Sequence, residues 1–503
     1  MTASEAVVQV RETGSRPGSG LFGRGLLYVV VFSFQTLAAT IVSPVLAHLI
    51  GPDEFGRLAS AIALYQLLTV LCVLGLDQAL VIQRAEDGDN RAARGLVAVS
   101  FAVTAAVVAV TALTARLWGE ALGFGSSSSL LLVTFLWTGP GAAVQVMLSM
   151  LLSQDRLKVF TLVSALSAVG GQVVGILLLV LVGRDATTYA WGGVVSQLAA
   201  MVIGIAVTRP RLRGLLDLGT ARRALRLGAP LAVGGLAAFV LNAGDRIIIQ
   251  RLLGAGAVGR YQVAYTVGYV VVLLMVFVSQ AWTPRFAAIR DRAERLALAG
   301  VARTELYHLL MPMIVGITLG APFALRLFAP PSFTPQTLTT VVFLVALSAF
   351  PVAASGASGR ELVTLRRGRS VAAVACLAAV VNVGLNLVLV PRFGIEGSAG
   401  ATVLAFTLAA AVQFRLLPRS QPWPRTPPRL WLAITLCCVG AAATTQLPQT
   451  TGWIVARLVL GLACLPWFLR RLQLARRGPL TDGTHVVQDP GPARHDQAGG
   501  APS

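Results

Sequence analysis

Charged side chains are scarce in this chain of 503 residues, and their scarcity argues against the commonest class of protein. Asp, Glu, Lys and Arg make up 12% of the sequence, whereas soluble globular domains carry about 25%. Cysteine is also rare: all five cysteines lie inside apolar stretches, and none has the spacing of a metal site. We therefore expect neither a soluble domain nor a cysteine metal site, and we interpret the cysteines as buried apolar residues.

Motifs for nucleotide or metal chemistry are missing as well. The chain has no Walker A sequence, and no His, Cys or carboxylate cluster has metal-ligand spacing. A literal G-x-G-x-x-G occurs at residues 18–23, but no strand precedes it and an apolar run follows it, so we do not interpret it as a nucleotide site. The sequence predicts a protein that is not an enzyme and that uses no cofactor or metal.

Long apolar runs dominate what remains. Fourteen of them, each about 18–25 residues long, have the length that an α-helix needs to cross a bilayer core of roughly 30 Å. We predict an all-α polytopic membrane protein with about 14 transmembrane helices. The predicted spans are residues 26–49, 58–81, 95–115, 130–152, 160–182, 189–207, 230–250, 261–282, 304–328, 335–355, 371–390, 399–417, 430–447 and 453–469.

The net charge of +20 comes from 41 basic residues, which lie mostly at the ends of the apolar runs rather than in one basic domain. This distribution argues against nucleic-acid binding and follows the positive-inside rule. With the N-terminus inside, the inner connections carry 32 basic residues and the outer connections carry 7. We predict a multi-pass protein of the cytoplasmic membrane with both termini in the cytoplasm.

An internal repeat groups twelve of the spans into two sets of six. The segment from His48 to Arg57 lines up with the segment from Arg251 to Arg260 at an offset of 203, with glycines at equivalent places. Because six is an even number, both sets have the same orientation, which predicts two parallel-repeat lobes related by an axis along the membrane normal. Two similar lobes around a central cavity are typical of transporters.

The predicted organisation has six parts. They are a disordered cytoplasmic lead (1–20), an N-terminal six-helix lobe (21–208), a basic cytoplasmic linker (209–229), a C-terminal six-helix lobe (230–418), two additional transmembrane helices (419–471) and a disordered cytoplasmic tail (472–503).

Three sequence blocks, residues 46–81, 229–286 and 380–406, cover predicted spans and their flanks; the third reads VVNVGLNLVLVPRFGIEGSAGATVLAF. In this order they resemble the polysaccharide-transport branch of the multidrug/oligosaccharidyl-lipid/polysaccharide (MOP) flippase superfamily, the Wzx-type flippases. The resemblance covers about residues 20–417. It implies that an undecaprenyl-diphosphate-linked oligosaccharide repeat unit is moved from the inner to the outer leaflet by alternating access, for cell-surface polysaccharide biosynthesis.

The implied partners are the lipid-linked oligosaccharide and the lipid bilayer, with a polysaccharide polymerase and glycosyltransferases as further candidates. Three other functions stay open: a multidrug or toxin exporter of the same fold, a lipid II flippase and a membrane glycan polymerase. Cationic drugs require an acidic cavity, and the spans contain few carboxylates, chiefly Asp77 and Asp245. A polymerase requires catalytic groups on a sizeable outer loop, and the predicted outer loops are short.

Polar residues in the seventh span are the main candidates for substrate binding. Asp245 and Arg246 are adjacent on a helix, so their side chains point about 100° apart, and we expect them not to pair simply with each other. Asn242, Arg246 and Gln250 recur every four residues and share a face that we predict lines the cavity. In that cavity we expect Arg246 to bind the diphosphate bidentately. Alternatively, Arg246 extends to the outer surface and Asp245 forms an ion pair with another helix.

Four other polar residues each leave two interpretations open. Asp77, in span two, is either a coupling carboxylate or a helix-end residue beside water. Asn382 and Asn386, one turn apart in span eleven, either bind sugar hydroxyls or join helices. Arg24, at the start of span one, either meets the incoming diphosphate or follows the positive-inside rule.

Overall fold

The structure, a computed structural model, describes residues 38, 40–87, 90–124, 129–280, 286, 289, 291–418 and 423–477. All regular elements in these ranges are helices, and twelve helical segments among them are long and apolar enough to cross a membrane. Many of their large apolar side chains face outward, for example Leu113 and Leu181, as lipid-facing helices require. The chain is therefore an all-α multi-pass membrane protein, which confirms the predicted fold class.

We call helices α1 to α9 the N lobe and helices α10 to α16 the C lobe, after the predicted organisation. The N-lobe helices are α1 (Thr40–Leu49), α2 (Pro52–Val73), α3 (Leu76–Asp87), α4 (Asn90–Leu113), α5 (Ala115–Trp118), α6 (Ser129–Ser153), α7 (Leu157–Ala165), α8 (Gly171–Leu181) and α9 (Ala186–Thr208). The C-lobe helices are α10 (Leu218–Phe239), α11 (Asp245–Leu253), α12 (Ala255–Gln280), α13 (Arg292–Phe328), α14 (Thr339–Leu347), α15 (Ala349–Thr364) and α16 (Gly368–Leu416). Two further helices, α17 (Pro428–Thr445) and α18 (Thr451–Arg477), pack on α13.

Several spans consist of two helices joined end to end. A π-helical turn at Leu166–Gly170 joins α7 to α8, and a second at Val240–Gly244 joins α10 to α11. We call these the N-lobe π turn and the C-lobe π turn. Such turns are rare within α-helices and are frequently found at functional sites.

The difference between twelve observed and about fourteen predicted spans has two causes. Only the end of the first predicted span, α1, belongs to the described residues. The eleventh and twelfth predicted spans are both contained in α16, whose 49 residues are interrupted at Gly394 by non-helical backbone (φ 60°, ψ −141°). A positive φ is readily adopted by glycine, and this glycine separates the two predicted spans.

The two copies of the internal repeat meet in the structure. Helices α2 and α12 begin at Pro52 and Ala255, which are 203 positions apart as the repeat predicts. A Cβ atom added at Gly56 would overlap the Ala255 carbonyl, and one added at its repeat partner Gly259 would overlap the Pro52 carbonyl. The glycines of the repeat therefore allow the two lobes to pack backbone to backbone at what the sequence predicts to be the outer end.

Three boundaries differ from the predicted organisation. Span two is not continuous, because Leu74 and Gly75 have positive φ and separate α2 from α3. The predicted linker 209–229 is helical from Leu218, where Asp217 caps the start of α10 by accepting a hydrogen bond from the Thr220 N–H. The predicted tail begins too early, since α18 extends to Arg477. The predicted lead 1–20 and the tail beyond 477 lie outside the described residues.

Candidate functional site

A cavity of about 650 Å³ lies between the N and C lobes, beside the contact of α2 with α12. We call it the central cavity. Its lining is rich in aromatic rings and side-chain amides. The aromatic residues are Phe55, Tyr65, Trp137, Tyr189, Tyr265 and Tyr269, and the amides are Gln66, Gln172, Gln197, Asn242 and Gln262. Among the described lining residues, one side chain is charged, that of Arg246.

The C-lobe π turn explains how Arg246 is held in an apolar protein. The turn leaves the Asn242 carbonyl free to accept a hydrogen bond from Arg246 Nη1 at 2.7 Å. Arg246 Nε donates to Gln262 Oε1 on α12 at 3.1 Å. The side chain is only 5% exposed, so it does not extend to the outer surface. Arg246 and Asn242 both line the central cavity.

Asp245 and Arg246 form a buried ion pair, which corrects the expectation that neighbouring residues would not pair. Arg246 Nη1 lies 2.6 Å from Asp245 Oδ1. The side chains of adjacent residues leave a helix about 100° apart. The arginine side chain is nevertheless long enough to turn back towards Asp245. The second carboxylate oxygen accepts a hydrogen bond at 2.5 Å from the Tyr261 hydroxyl on α12. The negative charge of Asp245 is therefore fully engaged within the C lobe.

Two tyrosine rings of α12 flank the guanidinium group. Its central carbon lies 4.0 Å from the centroid of Tyr265 and 5.5 Å from that of Tyr261. The negative face of an aromatic ring attracts a cation, most strongly where water is excluded. Tyr265 also stacks on Tyr269, with ring centroids 5.1 Å apart, so the aromatic wall continues along α12.

The hydrogen bonds of Arg246 limit how it can contact an anion. Nε and Nη1 are both bound, which leaves Nη2 as the guanidinium nitrogen without a hydrogen bond in the described structure. A bidentate contact uses two guanidinium nitrogens. In this conformation an anion therefore meets Nη2, and a bidentate contact requires the release of Gln262 from Nε, or of either Asp245 or Asn242 from Nη1.

Gln250 and Asp77 are not among the residues that line the central cavity. Gln250 shares the helix face of Arg246 but binds other groups, accepting a hydrogen bond from Ser60 Oγ and donating one to the Gly123 carbonyl. Asp77 lies in the first turn of α3, beside the break at Gly75, and accepts a hydrogen bond from Gln78. Arg24 lies outside the described residues.

Asn382 and Asn386 form a buried network between the two segments of α16. Asn386 Nδ2 donates to the Asn382 carbonyl at 2.9 Å, and its Oδ1 accepts from Ser398 Oγ at 2.7 Å. Asn382 Nδ2 lies 3.4 Å from Thr402 Oγ1. Both asparagines are at most 1% exposed. These contacts join helical segments across the kink at Gly394.

Several cavity residues of the N lobe were not singled out from the sequence, among them Tyr65, Trp137, Gln172 and Gln197. These four come from α2, α6, α8 and α9, so no local spacing connects them. An amide within an apolar span is the signal that each glutamine offers. The same signal also occurs at Gln145, which is exposed on α6 and lies outside the cavity lining. The signal therefore does not distinguish glutamines that line the cavity from those that do not.

A second cavity, of about 770 Å³, lies within the C-terminal part of the protein and is mainly apolar. Its lining includes Arg303, Trp423 and Trp431. Arg303 Nη2 donates to the Pro424 carbonyl, and the guanidinium lies 5.8 Å from the Trp423 ring. This cavity is formed without the N lobe, so we take the central cavity as the candidate site. The described residues contain no cluster of three or more His, Cys, Asp or Glu that could hold a metal ion.

Solved structures of membrane transporters share this helical fold. A lipid II flippase, MurJ, in an inward closed conformation has a TM-score of 0.68 at 14% identity, covering 89% of this chain and 99% of that one. An inward-facing multidrug resistance transporter of the MATE family has a TM-score of 0.55 at 15% identity, covering 80% and 95%.

The model of the polysaccharide biosynthesis protein family matches residues 22–290, more than half of the chain, and the chain belongs to this family. It is 25% identical over 181 residues to a probable flippase, AglR, from Haloferax volcanii, covering 35% of this chain and 38% of that protein. It is 26% identical over 297 residues to the succinoglycan biosynthesis transport protein ExoT from Rhizobium meliloti, covering 57% and 58%. The matches thus span about four- to six-tenths of these relatives' lengths.

Proposed function

We propose that the protein is a flippase that translocates undecaprenyl-diphosphate-linked oligosaccharide repeat units across the cytoplasmic membrane by alternating access, for cell-surface polysaccharide biosynthesis. One observation carries this proposal. Arg246 is the single charged side chain among the described residues that line the central cavity, and aromatic rings and amides surround it. A diphosphate matches the cation, and a glycan matches the rings and amides.

Arg246 addresses the main energetic barrier to such transport. An anion in the low-dielectric interior of a membrane protein is costly unless it is paired. The Nη2 group lacks a hydrogen bond in the described structure, so a phosphate oxygen can bind it while the other nitrogens keep the guanidinium in place. An interior-negative membrane potential adds about 2.3 kcal/mol per net charge per 100 mV for outward movement of an anion.

The same geometry argues against the alternative of a cationic-drug exporter. Asp245 adjoins the cavity residue Arg246, and Arg246 and Tyr261 occupy its oxygens. A cationic drug in the cavity would meet the positive charge of Arg246 with no free carboxylate in the described lining. The lipids that accumulate after deletion of the gene distinguish the other two alternatives, a lipid II flippase and a glycan polymerase.

The remaining parts of the proposal concern coupling, topology and partners. Asp77 is a candidate for ion coupling, because it lies half-buried beside the close approach of Gly75 to Gly228, where the N lobe contacts α10 of the C lobe. The division into two six-helix lobes, a short linker and two added helices, with both termini in the cytoplasm, belongs to the same proposal. A polysaccharide polymerase is the partner expected to receive the translocated unit.

Deletion of the gene, followed by mass analysis of membrane lipids, tests the proposal. We expect lipid-linked oligosaccharide to accumulate on the cytoplasmic leaflet, protected from a glycosidase added outside, while surface polysaccharide is lost. Accumulated lipid II would indicate the lipid II flippase instead. Single repeat units that accumulate on the outer leaflet would indicate a polymerase. A normal surface glycan together with new drug sensitivity would indicate the exporter.

A further inference from the structure

Three buried polar atoms on the N-lobe wall of the central cavity have no hydrogen-bond partner within the described structure. They are Trp137 Nε1, Gln172 Oε1 and Gln197 Oε1, on α6, α8 and α9. All three residues line the cavity. Polar atoms buried without a partner cost free energy, and native proteins contain few of them. Three such atoms on one wall point to a ligand that supplies one acceptor and two donors.

The backbone holds the amide of Gln197 in a defined orientation. Ser167 belongs to the N-lobe π turn, and Gln197 Nε2 lies 3.4 Å from both its carbonyl and its hydroxyl oxygen. A carbonyl can only accept a hydrogen bond, so the NH₂ group must face Ser167 and the Oε1 atom must face away from it. Gln197 is 7% exposed. Its Oε1 atom is therefore a buried acceptor that has no hydrogen-bond donor in the described structure. A hydroxyl or N–H group of a ligand could supply that donor.

Two aromatic rings lie beside these atoms. Tyr65 and Trp137 stack with their centroids 4.7 Å apart and their planes 25° apart, and both line the cavity. Glycines allow this arrangement: a Cβ atom at Gly193 would overlap the Trp137 ring, and one at Gly141 would overlap the Tyr65 side chain. An aromatic ring has a negative face and an apolar body, which suit the polarised C–H groups of a pyranose ring.

The N-lobe wall offers no charge. The described cavity residues of α1, α2, α6, α8 and α9 are all uncharged, whereas the cation Arg246 belongs to the C lobe. We propose that the N-lobe wall is a binding subsite for a neutral, hydroxyl-rich sugar unit, with Gln172, Gln197 and Trp137 binding hydroxyls beside the ring of Tyr65. This inference rests on the proposed function, since it names the part of the cargo that the N lobe binds.

Two soluble probes separate the subsite from the proposed phosphate contact. The full-length protein in nanodiscs is mixed with a neutral hexose tetrasaccharide, and contact is measured by saturation-transfer NMR. Inorganic pyrophosphate is titrated in a parallel experiment. We expect Gln172→Leu and Gln197→Leu each to weaken binding of the tetrasaccharide about threefold or more without affecting pyrophosphate, and Arg246→Ala to do the reverse. Gln145→Leu, on the exposed face of α6, is the matched control and should change neither.

Three results would overturn the subsite. They are no transfer to the tetrasaccharide from the unmodified protein, transfer that both glutamine variants leave unchanged, and equal binding of a tetrasaccharide that carries uronic acids. Each of these results leaves the pyrophosphate measurement intact, so the proposed function is judged separately. Trp137→Phe keeps an aromatic ring and removes the N–H donor, and should weaken sugar binding by less than either glutamine variant. Trp191→Phe, on the exposed face of α9, controls for a loss of tryptophan elsewhere.

Discussion

A π turn interrupts a helix on each wall of the central cavity, Leu166–Gly170 in the N lobe and Val240–Gly244 in the C lobe. On both walls a polar cavity side chain binds a carbonyl oxygen of the turn. In the N lobe that side chain is the neutral amide Gln197, and in the C lobe it is the cation Arg246. One backbone feature thus serves two chemistries.

The walls also differ in how completely their polar atoms are satisfied. On the C-lobe wall, Arg246 and Tyr261 bind both oxygens of Asp245. Two of the three guanidinium nitrogens of Arg246 have partners, and Nη2 has no hydrogen bond in the described structure. The N-lobe wall leaves two amide oxygens and an indole N–H without partners. A cargo with a charged and a neutral end, held across the cavity, accounts for both observations.

Removal of the cation should give the largest effect. Arg246→Ala is expected to abolish transport, because the cavity then holds no described charge to pair with a diphosphate. Arg246→Lys should rescue poorly, since an ammonium cannot reproduce the planar set of hydrogen bonds that Arg246 makes. Transport is measured as surface polysaccharide in cells that lack the native gene, with the amount of protein in the membrane determined in parallel.

Arg251→Ala is the matched control for this variant, because Arg251 is exposed at the end of the same helix, α11. It should leave transport unchanged. Normal export by Arg246→Ala at normal abundance would refute the role assigned to Arg246 and would remove the chemical difference between the two walls.

Asp245, the ion-pair partner of Arg246, should contribute more to the stability of the protein than to its choice of cargo. Asp245→Asn leaves Arg246 buried without an anionic partner, and removing one member of a buried ion pair costs about 3–5 kcal/mol. We expect a lower temperature of thermal unfolding in detergent, measured on the purified protein. Arg57 is exposed on α2 and pairs there with Glu54, and Arg57→Gln should have little effect on the unfolding temperature. Equal losses in the two variants would contradict a special role for burial.

Much of the fold could be predicted from the sequence, because membrane spans are recognised by length and hydropathy alone. The offset of 203 also identified the glycines that meet between α2 and α12, since close backbone packing demands small residues. The breaks within spans were not predicted. Leu74, for example, adopts a positive φ although its side chain does not favour it.

The candidate site was predicted only where its residues are close in sequence. Asn242 and Arg246 lie one turn apart, and both line the cavity. Their third companion, Gln250, shares the helix face but binds Ser60 and the Gly123 carbonyl instead, because a helix face extends beyond the cavity that it borders. The N-lobe wall combines residues from five helices, so tertiary packing alone brings them together.

The buried network in α16 separates packing from binding. Asn386→Leu removes the acceptor of Ser398 Oγ and the donor to the Asn382 carbonyl, and an unsatisfied buried group costs about 1–3 kcal/mol. We expect lower thermal stability, with binding of pyrophosphate and tetrasaccharide unchanged in the folded protein. A loss of sugar binding at unchanged stability would instead place Asn386 at the substrate and extend the sugar site into the C lobe.

The smallest effect is expected from substitutions of Tyr265, which distinguish the contribution of its ring from that of its hydroxyl. The ring lies 4.0 Å from the guanidinium of Arg246, whereas the hydroxyl lies 3.4 Å from the Asn242 carbonyl, a long hydrogen bond. Tyr265→Phe keeps the ring and should change pyrophosphate affinity less than about twofold. Tyr265→Leu removes a cation–π contact worth about 0.5–2 kcal/mol and should weaken that affinity by more. Equal effects of the two variants would show that the hydroxyl, rather than the ring, supports the cation, and the C-lobe wall would then resemble the hydrogen-bonding N-lobe wall.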